Sequence, residues 1–170
     1  MTGVVAAETE RLELREFSVD DAEGFFRLNG DPEVLRYTGD EPFADVEQAR
    51  AFLAAYDNYA RDGFGRWSVY LKETGEYLGF CGLNNRPATD EVDVGFRFRR
   101  ACWDRGYATE AARAALDLGF TRYGLTRIVG RAMRDNAASH RVLEKLGMTK
   151  SHEFEQDGHV WAQYEARAGG

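Results

Sequence analysis

Three short strand-like runs, two of them alternating between apolar and polar residues, follow one another in the middle of this chain. In the first run Trp67, Val69 and Leu71 take every second position, and the alternation returns in Val92–Phe98. Between these two runs the turn at residues 73–76 leads into a third run, Tyr77–Leu83, which is almost entirely apolar. A period of two is typical of strands with one buried face, and short turn-forming segments separate the runs. The pattern therefore predicts three antiparallel strands joined as a meander.

Helical patterns surround this meander and alternate with strands in the second half. Asp31-Pro32 predicts a short turn or helix. Longer helices are predicted after Ser18, from Asp45 to Gly63, over Tyr107–Tyr123 and over Asn136–Leu146, with strands at residues 11–17 and 127–133 and a hairpin at 153–165. The order β-α-α-β-β-β-α-β-α-β-β predicts an α/β (α+β) domain with a mostly antiparallel first half and a βαβ unit in the second.

The length of 170 residues suits a single domain, and no repeat or linker divides the chain. We expect one domain over residues 1–170, with an ordered core at about 11–165. No apolar run approaches the ~20 residues that cross a bilayer, and the N-terminus lacks a secretory signal, so we expect a cytoplasmic protein with no membrane partner. Cys81 and Cys102 form no CxxC pair, which predicts buried thiols and no metal site.

The net charge is −7, from 29 acidic and 22 basic residues. An acidic protein is poorly suited to nucleic acid, whose phosphates require lysine and arginine, and it attracts cationic amines instead. The basic residues are nevertheless concentrated in one place. The segment 97–105 holds four arginines and one aspartate, which indicates a specific anion site.

A strand that ends at Phe98 leads through this arginine-rich segment into a helix near Tyr107. The start of a helix has unpaired amides and a partial positive charge. Gly106 and Ala108 are small enough for a phosphate to approach those amides, and Arg105 could add a charged hydrogen bond. The alternative is a tight turn before an alanine-rich helix. A P-loop is excluded because GxxxxGK[ST] is absent, and the glycines at 63 and 65 do not complete a Rossmann fingerprint.

A second informative segment runs from Arg134 to Met148. Asn136 is a plausible helix N-cap, and Ser139 lies one turn along on the same side of that helix. Both side chains could hydrogen-bond to a ligand beside the helix start. The alternative is that Asn136 only caps the helix and Ser139 supports its first turn.

Together these segments resemble the GNAT acetyltransferases, and closely their Rim-type branch of ribosomal-protein acetyltransferases. The specific motifs are WDRGYATEA at Trp103–Ala111 and NAASHRVLEKLGM at Asn136–Met148. The resemblance covers residues 11–164 and includes RLELREF and DPEVLRY near the start of the chain. It implies a mixed, mostly antiparallel sheet flanked by helices, acetyl-CoA as the cofactor, and acetyl transfer to an amine.

The resemblance also implies which residues bind acetyl-CoA. The backbone of residues 96–98 would bond the pantetheine arm, residues 103–109 would surround the pyrophosphate, and the start of the last helix would border the cofactor. The implied cofactor-binding set is Phe96, Arg97, Phe98, Trp103, Asp104, Arg105, Gly106, Tyr107, Ala108, Thr109, Asn136 and Ser139. This chain has Trp103 where Gln or Arg is commonest in the family.

Two catalytic roles follow from the same resemblance. Many GNAT enzymes protonate the leaving thiolate with a tyrosine, but Leu143 takes that position here, so the role falls to Ser139. The general base falls on Glu153, directly or through water; the alternative is that Glu153 is a solvated strand residue. Asp93 and Glu91 are rival bases, and His140 and His152 are weaker ones because histidines at such flanks are usually on the surface.

The acceptor remains open at this level, as either a protein N-terminal α-amine or a small amine. An acceptor pocket would include the aromatic residues Tyr37, Phe43, Trp67 and Trp161, although such a set also resembles a core. A non-catalytic acyl-CoA-binding module is the alternative function, which Leu143 keeps open. The sequence does not determine the oligomeric state, and a homodimer is compatible with it.

Overall fold

The computed structural model describes residues 3–169, which form one eight-stranded sheet with helices on both faces. The strands are β1 (Val5–Glu8), β2 (Leu12–Glu16), β3 (Arg66–Leu71), β4 (Tyr77–Arg86), β5 (Glu91–Phe98), β6 (Arg127–Met133), β7 (Thr149–Gln156) and β8 (His159–Arg167). The helices are α1 (Ala22–Leu28), α2 (Pro32–Leu35), α3 (Val46–Ala55), α4 (Asn58–Asp62), α5 (Tyr107–Thr121) and α6 (Ala137–Lys145), with short 3₁₀ turns at Val19–Asp21 and Arg100–Cys102.

The strands lie in the order β1-β2-β3-β4-β5-β6-β8-β7. Every neighbouring pair is antiparallel except β5 and β6, which run parallel because α5 connects them as a crossover. This confirms the predicted mixed and mostly antiparallel sheet, the meander of β3, β4 and β5, and the βαβ unit. No helix within residues 3–169 is long and apolar enough to cross a membrane.

The two faces of the sheet carry separate apolar clusters. The larger cluster lies under α5 and α6, and it contains both cysteines as the expected buried thiols. Small residues let α5 approach the sheet closely: a Cβ on Gly119 would lie 2.6 Å from Cδ1 of Ile128. The smaller cluster lies on the other face, where Phe25 of α1 and Leu53 of α3 pack near Phe80.

Two local features differ from the sequence prediction. Strand β1 pairs with β2 although its residues show no alternation. The helix predicted from Asp45 to Gly63 is divided into α3 and α4 by Tyr56, whose ψ of 110° is not helical. Tyr56 leaves the helix because its ring packs on Phe17, at 4.8 Å between centroids, and its hydroxyl accepts the Arg66 amide at 2.8 Å.

The hairpin at the C-terminal end turns where it was predicted. Asp157 and Gly158 have φ angles of 52° and 79°, both in the left-handed region. Two consecutive residues in this region are typical of a two-residue turn whose twist matches that of the flanking strands. The Asp-Gly pair therefore sets the register of β7 against β8.

Candidate active site

The parallel strands β5 and β6 part from each other near the middle of the sheet. Their pairing ends at Val94 and Gly130, although β5 continues to Phe98 and β6 to Met133. Beyond the last pair the two strands share no ladder, so an opening with backbone polar groups lies inside the sheet. An extended ligand with amide groups could bond there as a strand would.

The direction of the β5 backbone decides which residues face this opening. The amide of Arg99 donates to the carbonyl of Leu78 at 2.9 Å, in the direction of β4. Because backbone groups alternate along a strand, Arg97 also faces β4, while Phe96 and Phe98 face β6. The expectation that Arg97 bonds the pantetheine arm is therefore wrong for its backbone, and only Phe96 and Phe98 point the right way.

Trp103 folds back onto this edge. Its indole Nε1 donates to the carbonyl of Phe98 at 2.9 Å, while 42% of the residue remains exposed. The carbonyl of Phe98 is therefore already occupied, and the backbone of Phe96 is the group left beyond the last pair of β5 and β6. Trp103 lies at the border of the opening, on the way to α5.

Helix α5 begins without a side-chain cap. Its N-cap residue is Gly106, with a φ of 80°, and Asp104 two residues earlier also has a positive φ of 62°. Since no side chain caps the first turn, the amides of Tyr107, Ala108 and Thr109 remain available to an anion. The residues present thus fit a diphosphate, as the sequence predicts.

A surface depression of about 520 Å³ borders the same helix start. Gly106, Thr109 and Glu110 line it from α5, and Thr9 lines it from the turn between β1 and β2. Further along, Arg113 and Lys145 lie beside Glu8 and Asp117, so the lining carries charges of both signs. The Arg113 guanidinium donates to the Lys145 carbonyl at 3.0 Å. A phosphorylated ligand at the start of α5 would have room to continue over this surface.

The arginine-rich segment is less basic than its composition suggests. Three of its four arginines form ion pairs with carboxylates from other parts of the fold: Arg97 with Asp40 at 2.7 Å, Arg99 with Glu76 at 2.8 Å and Arg100 with Asp31. Arg97 also donates to the Asn29 side chain at 2.5 Å. Among residues 3–169, Arg105 is the arginine of this segment without an ion pair, so it alone is free for an anion.

The start of α6 brings Asn136 and Ser139 together. The Ser139 amide donates to Oδ1 of Asn136 at 3.3 Å, and Nδ2 of Asn136 donates to the Ser139 hydroxyl oxygen at 2.9 Å. The first bond sets the orientation of the amide, so the second must use the NH₂ group. Ser139 therefore keeps its own proton for another acceptor. Leu143, one turn later, is 1% exposed and belongs to the core.

His140 is not the surface residue that its position suggested. Its ring is half-buried and bridges the hydroxyl of Tyr164 at 2.7 Å and the carbonyl of Met133 at 3.1 Å. Because the carbonyl can only accept, Nε2 carries a proton and donates to it. Both nitrogens are thus engaged. His152, in contrast, is exposed, with its ring next to the hydroxyl of Ser151.

Glu153 is placed poorly for a general base. It forms ion pairs with Arg134 at 2.8 Å and Lys150 at 3.0 Å. Hydrogen bonds from these two side chains lower the pKa of Glu153 to about 2. A carboxylate with so low a pKa is a weak proton acceptor at neutral pH.

The register of the hairpin also separates Glu153 from Trp161, the hairpin residue among the four aromatic residues expected in the acceptor pocket. Glu153 lies opposite Ala162, whereas Phe154 lies opposite Trp161. Cross-strand partners share a face, and adjacent residues do not. Glu153 and Trp161 therefore lie on opposite faces of the sheet and cannot line one side of an acceptor pocket together.

The rival carboxylates are ion-paired as well. Asp93 is buried between Arg66, at 2.8 Å, and Arg86. Burial raises the pKa of Asp93, but the two guanidinium groups outweigh this effect and leave the pKa below its ordinary value. Glu91 also has a lowered pKa, because hydrogen bonds led by Arg127 outweigh the effect of burial. Neither group has the near-neutral pKa that suits a base.

The four aromatic residues proposed for the acceptor pocket do not form one group. Trp67 is 1% exposed in the core under α5, so its assignment to the pocket is wrong; its ring stacks near Tyr123. Phe43 packs on Phe25 at 5.6 Å between centroids, in the smaller cluster. Trp161 lies beside Met133 at the end of β6, with its indole Nε1 buried and unbonded within residues 3–169.

Tyr37 belongs to the segment between α2 and α3, which lies near the opening on the face opposite α5. The guanidinium of Arg36 lies 5.1 Å from the Tyr37 ring centroid. A Cβ on Gly39 would be 3.9 Å from the Met133 methyl, and Asp40 pairs with Arg97 of β5. The segment between α2 and α3 thus reaches both strands that flank the opening, β5 and β6. Sequence periodicity could not reveal this, because the segment has no regular secondary structure.

Comparison with known proteins agrees with this geometry. Residues 11–149 match the family described as the acetyltransferase (GNAT) domain. An uncharacterized N-acetyltransferase p20 from Bacillus licheniformis is 35% identical over 144 residues, covering 84% of this chain and 81% of that protein. A solved GNAT-family acetyltransferase from Bacillus anthracis is 25% identical with a TM-score of 0.82, covering 98% of both chains.

The structural neighbours include Rim-type enzymes. A ribosomal L7/L12 alpha-N-protein acetyltransferase, solved in complex with coenzyme A, superimposes with a TM-score of 0.84 over 97% of this chain and 98% of its own. Its identity of 16% shows a shared fold. The match over residues 11–149 includes both predicted motifs, the opening between β5 and β6 and the uncapped start of α5. The chain therefore belongs to the GNAT acetyltransferase family and is an acetyl-CoA-dependent acetyltransferase.

Proposed function

We propose that this protein transfers the acetyl group of acetyl-CoA to a primary amine by direct attack. The observation that carries the proposal is the opening between β5 and β6 beside the uncapped start of α5. An extended arm with amide groups fits the first feature and a diphosphate fits the second. Bound acetyl-CoA supplies the thioester, and the remaining chemistry belongs to side chains at the start of α6.

Ser139 is our candidate proton donor to the departing thiolate, and its oxygen regains a proton from solvent, which has received the proton of the amine. Asn136 donates to the Ser139 oxygen, which leaves the hydroxyl proton free and polarises it toward an acceptor. Leu143 cannot take this role because it has no proton to give. Asn136 acts as a positioning residue, since its amide holds the serine at the first turn of the helix.

The amine needs to lose a proton before it attacks, and we propose that it does so in exchange with bulk solvent and binds as the neutral free base. The carboxylates first considered as bases, Glu153, Asp93 and Glu91, all have lowered pKa values. In this proposal Glu153 pairs with Arg134 and neutralises its charge, and it takes no part in proton transfer. Free, buried cysteines fit our proposal of a reducing cytoplasmic setting.

The acceptor is proposed to approach from the face opposite α5, where the segment around Tyr37 and Gly39 reaches the end of β6. A protein N-terminal α-amine and a small amine such as a polyamine both carry the required nucleophile. Both kinds of amine are cations in solution, and a protein with a net charge of −7 attracts cations.

The test is release of free coenzyme A from acetyl-CoA, measured with and without an amine panel. The panel includes short peptides with free N-termini, the same peptides with blocked N-termini, polyamines and amino sugars. Amine-dependent release together with an acetylated product by mass spectrometry is expected for one of these classes. If the protein binds coenzyme A but no amine in the panel causes its release from acetyl-CoA, the non-catalytic binding module is favoured instead.

A further inference from the structure

The side chain of Arg11 reaches from the end of the β1–β2 turn across the start of α5. Its Nη1 donates to the carbonyl of Arg105 at 3.0 Å, and its guanidinium lies 4.4 Å from the centroid of the Tyr107 ring. A Cβ on Gly106 would lie 3.4 Å from Nη2. One arginine outside the motif therefore contacts Arg105 and Tyr107 and lies close to Gly106 between them, at the point where the helix begins.

The same arginine binds Glu110 in the first turn of α5. The Glu110 carboxylate accepts three hydrogen bonds: from the Arg11 amide at 2.9 Å, from its Nε at 2.7 Å and from the Thr9 hydroxyl at 2.5 Å. Burial raises the pKa of Glu110, but these bonds outweigh it and leave the pKa lowered, so the group is ionised at neutral pH. Glu110 is thus a fixed negative charge, 19% exposed.

The negative charge of Glu110 lies close to the start of α5, where the diphosphate is expected to bind. Glu110 and Gly106 line the same depression at the start of α5. A carboxylate in the first turn stabilises the helix by interacting with the helix dipole. The same carboxylate repels a bound diphosphate, because both groups are negatively charged. The guanidinium of Arg11 is the countercharge that removes this repulsion.

We propose that Arg11 is a positioning residue for the diphosphate of coenzyme A, which holds the first turn of α5 and neutralises Glu110. Thr9 assists by orienting the carboxylate. The inference rests on the cofactor site proposed above, but it concerns residues outside the helix start itself. The proposal predicts that substitutions of Arg11 and Glu110 have non-additive effects on the affinity for coenzyme A.

Calorimetry with coenzyme A measures this coupling in four proteins: wild type, Arg11→Met, Glu110→Gln and the double variant. We expect Arg11→Met to raise the Kd about tenfold, as couplings between contacting charges usually do. Glu110→Gln alone should change it little. The double variant should recover most of the loss, because no uncompensated charge remains. A double variant as weak as Arg11→Met would overturn the neutralisation.

Arg27→Met is the matched control, since Arg27 pairs with Glu23 at 3.0 Å on the exposed face of α1, away from α5. Its Kd should equal that of the wild type. Arg11→Lys keeps the countercharge and covers the case in which Arg11→Met does not fold. We expect Arg11→Lys to bind within about threefold of wild type, less than the tenfold change for charge loss. A loss of tenfold or more would contradict the proposal.

A donor without the diphosphate separates positioning from general structural damage. With S-acetylpantetheine as the acetyl donor, Arg11→Met should have the kcat/KM of the wild type, while its KM for acetyl-CoA rises at unchanged kcat. An equal fall with both donors would overturn the inference and make Arg11 a purely structural residue. Failure of the wild type to bind coenzyme A would instead reject the cofactor site itself.

Discussion

Ser139 and Asn136 hold each other by two reciprocal hydrogen bonds at the start of α6, one to the serine amide and one to its hydroxyl oxygen. The arrangement caps the helix and at the same time leaves the serine proton free. A capping role and a catalytic role are therefore compatible in this pair, although the sequence presented them as alternatives. The two roles make different predictions.

Removal of the Ser139 hydroxyl should lower turnover more than it weakens cofactor binding. We expect Ser139→Ala to reduce kcat by roughly 10²-fold, because a proton donor to the thiolate acts mainly in the transition state. Steady-state kinetics measures this, with Ser139→Thr as the variant that keeps a hydroxyl. An unchanged kcat with a raised KM for acetyl-CoA would show that Ser139 only binds the cofactor.

A side chain at Gly106 should abolish most of the affinity for coenzyme A. Gly106→Glu adds a negative charge at the helix start and a Cβ at a φ of 80°, and we expect the Kd to rise by about 100-fold. Gly63→Glu is the control for backbone strain, since Gly63 has a φ of 84° and nothing within 4 Å of its Cβ position. Calorimetry compares the two. Equal affinities would place the diphosphate elsewhere.

Loss of the Glu153 carboxylate should affect turnover less than loss of a base would. With a pKa of about 2, Glu153 accepts protons poorly at neutral pH, so Glu153→Gln should keep kcat within about tenfold of wild type. The pH profile of kcat should also keep its shape. A fall of roughly 10²–10⁴-fold with a shifted profile would restore Glu153 as the general base.

Asp93 should contribute to stability rather than to catalysis. Asp93→Asn leaves Arg66 and Arg86 without their buried partner, and we expect a loss of about 3–5 kcal/mol in the free energy of unfolding by urea. Asp57→Asn, which breaks an exposed pair with Arg61, should change it by less than about 1 kcal/mol. A stable Asp93→Asn protein with no turnover would instead indicate a base.

The same carboxylate predicts a direction for the pH dependence of stability. The folded pKa of Asp93 lies below its unfolded value, so its contribution is complete above about pH 4 and is lost as the pH falls through the folded pKa. Urea unfolding from pH 6 to pH 2.5 should show a steeper acid loss for the wild type than for Asp93→Asn. Parallel curves would contradict this.

The sequence by itself determined the elements whose signal is local. The meander, the Asp157-Gly158 turn, the helix that follows Gly106 and the cap at Asn136 were all predicted, because periodicity and capping act over a few residues. Strand β1 and the break at Tyr56 were not, since each depends on a partner distant in the sequence: β2 for the strand and Arg66 for the tyrosine.

Only the tertiary structure decided which candidate residues meet and what charge surrounds them. Trp67 and Trp161 look alike in the sequence, but one lies in the core under α5 and the other at the end of β6. The charge on Glu153 is fixed by Arg134, and that on Glu110 by Arg11, 99 residues away along the chain. A pKa and an ion pair depend on distances in space, and composition and spacing contain no record of them.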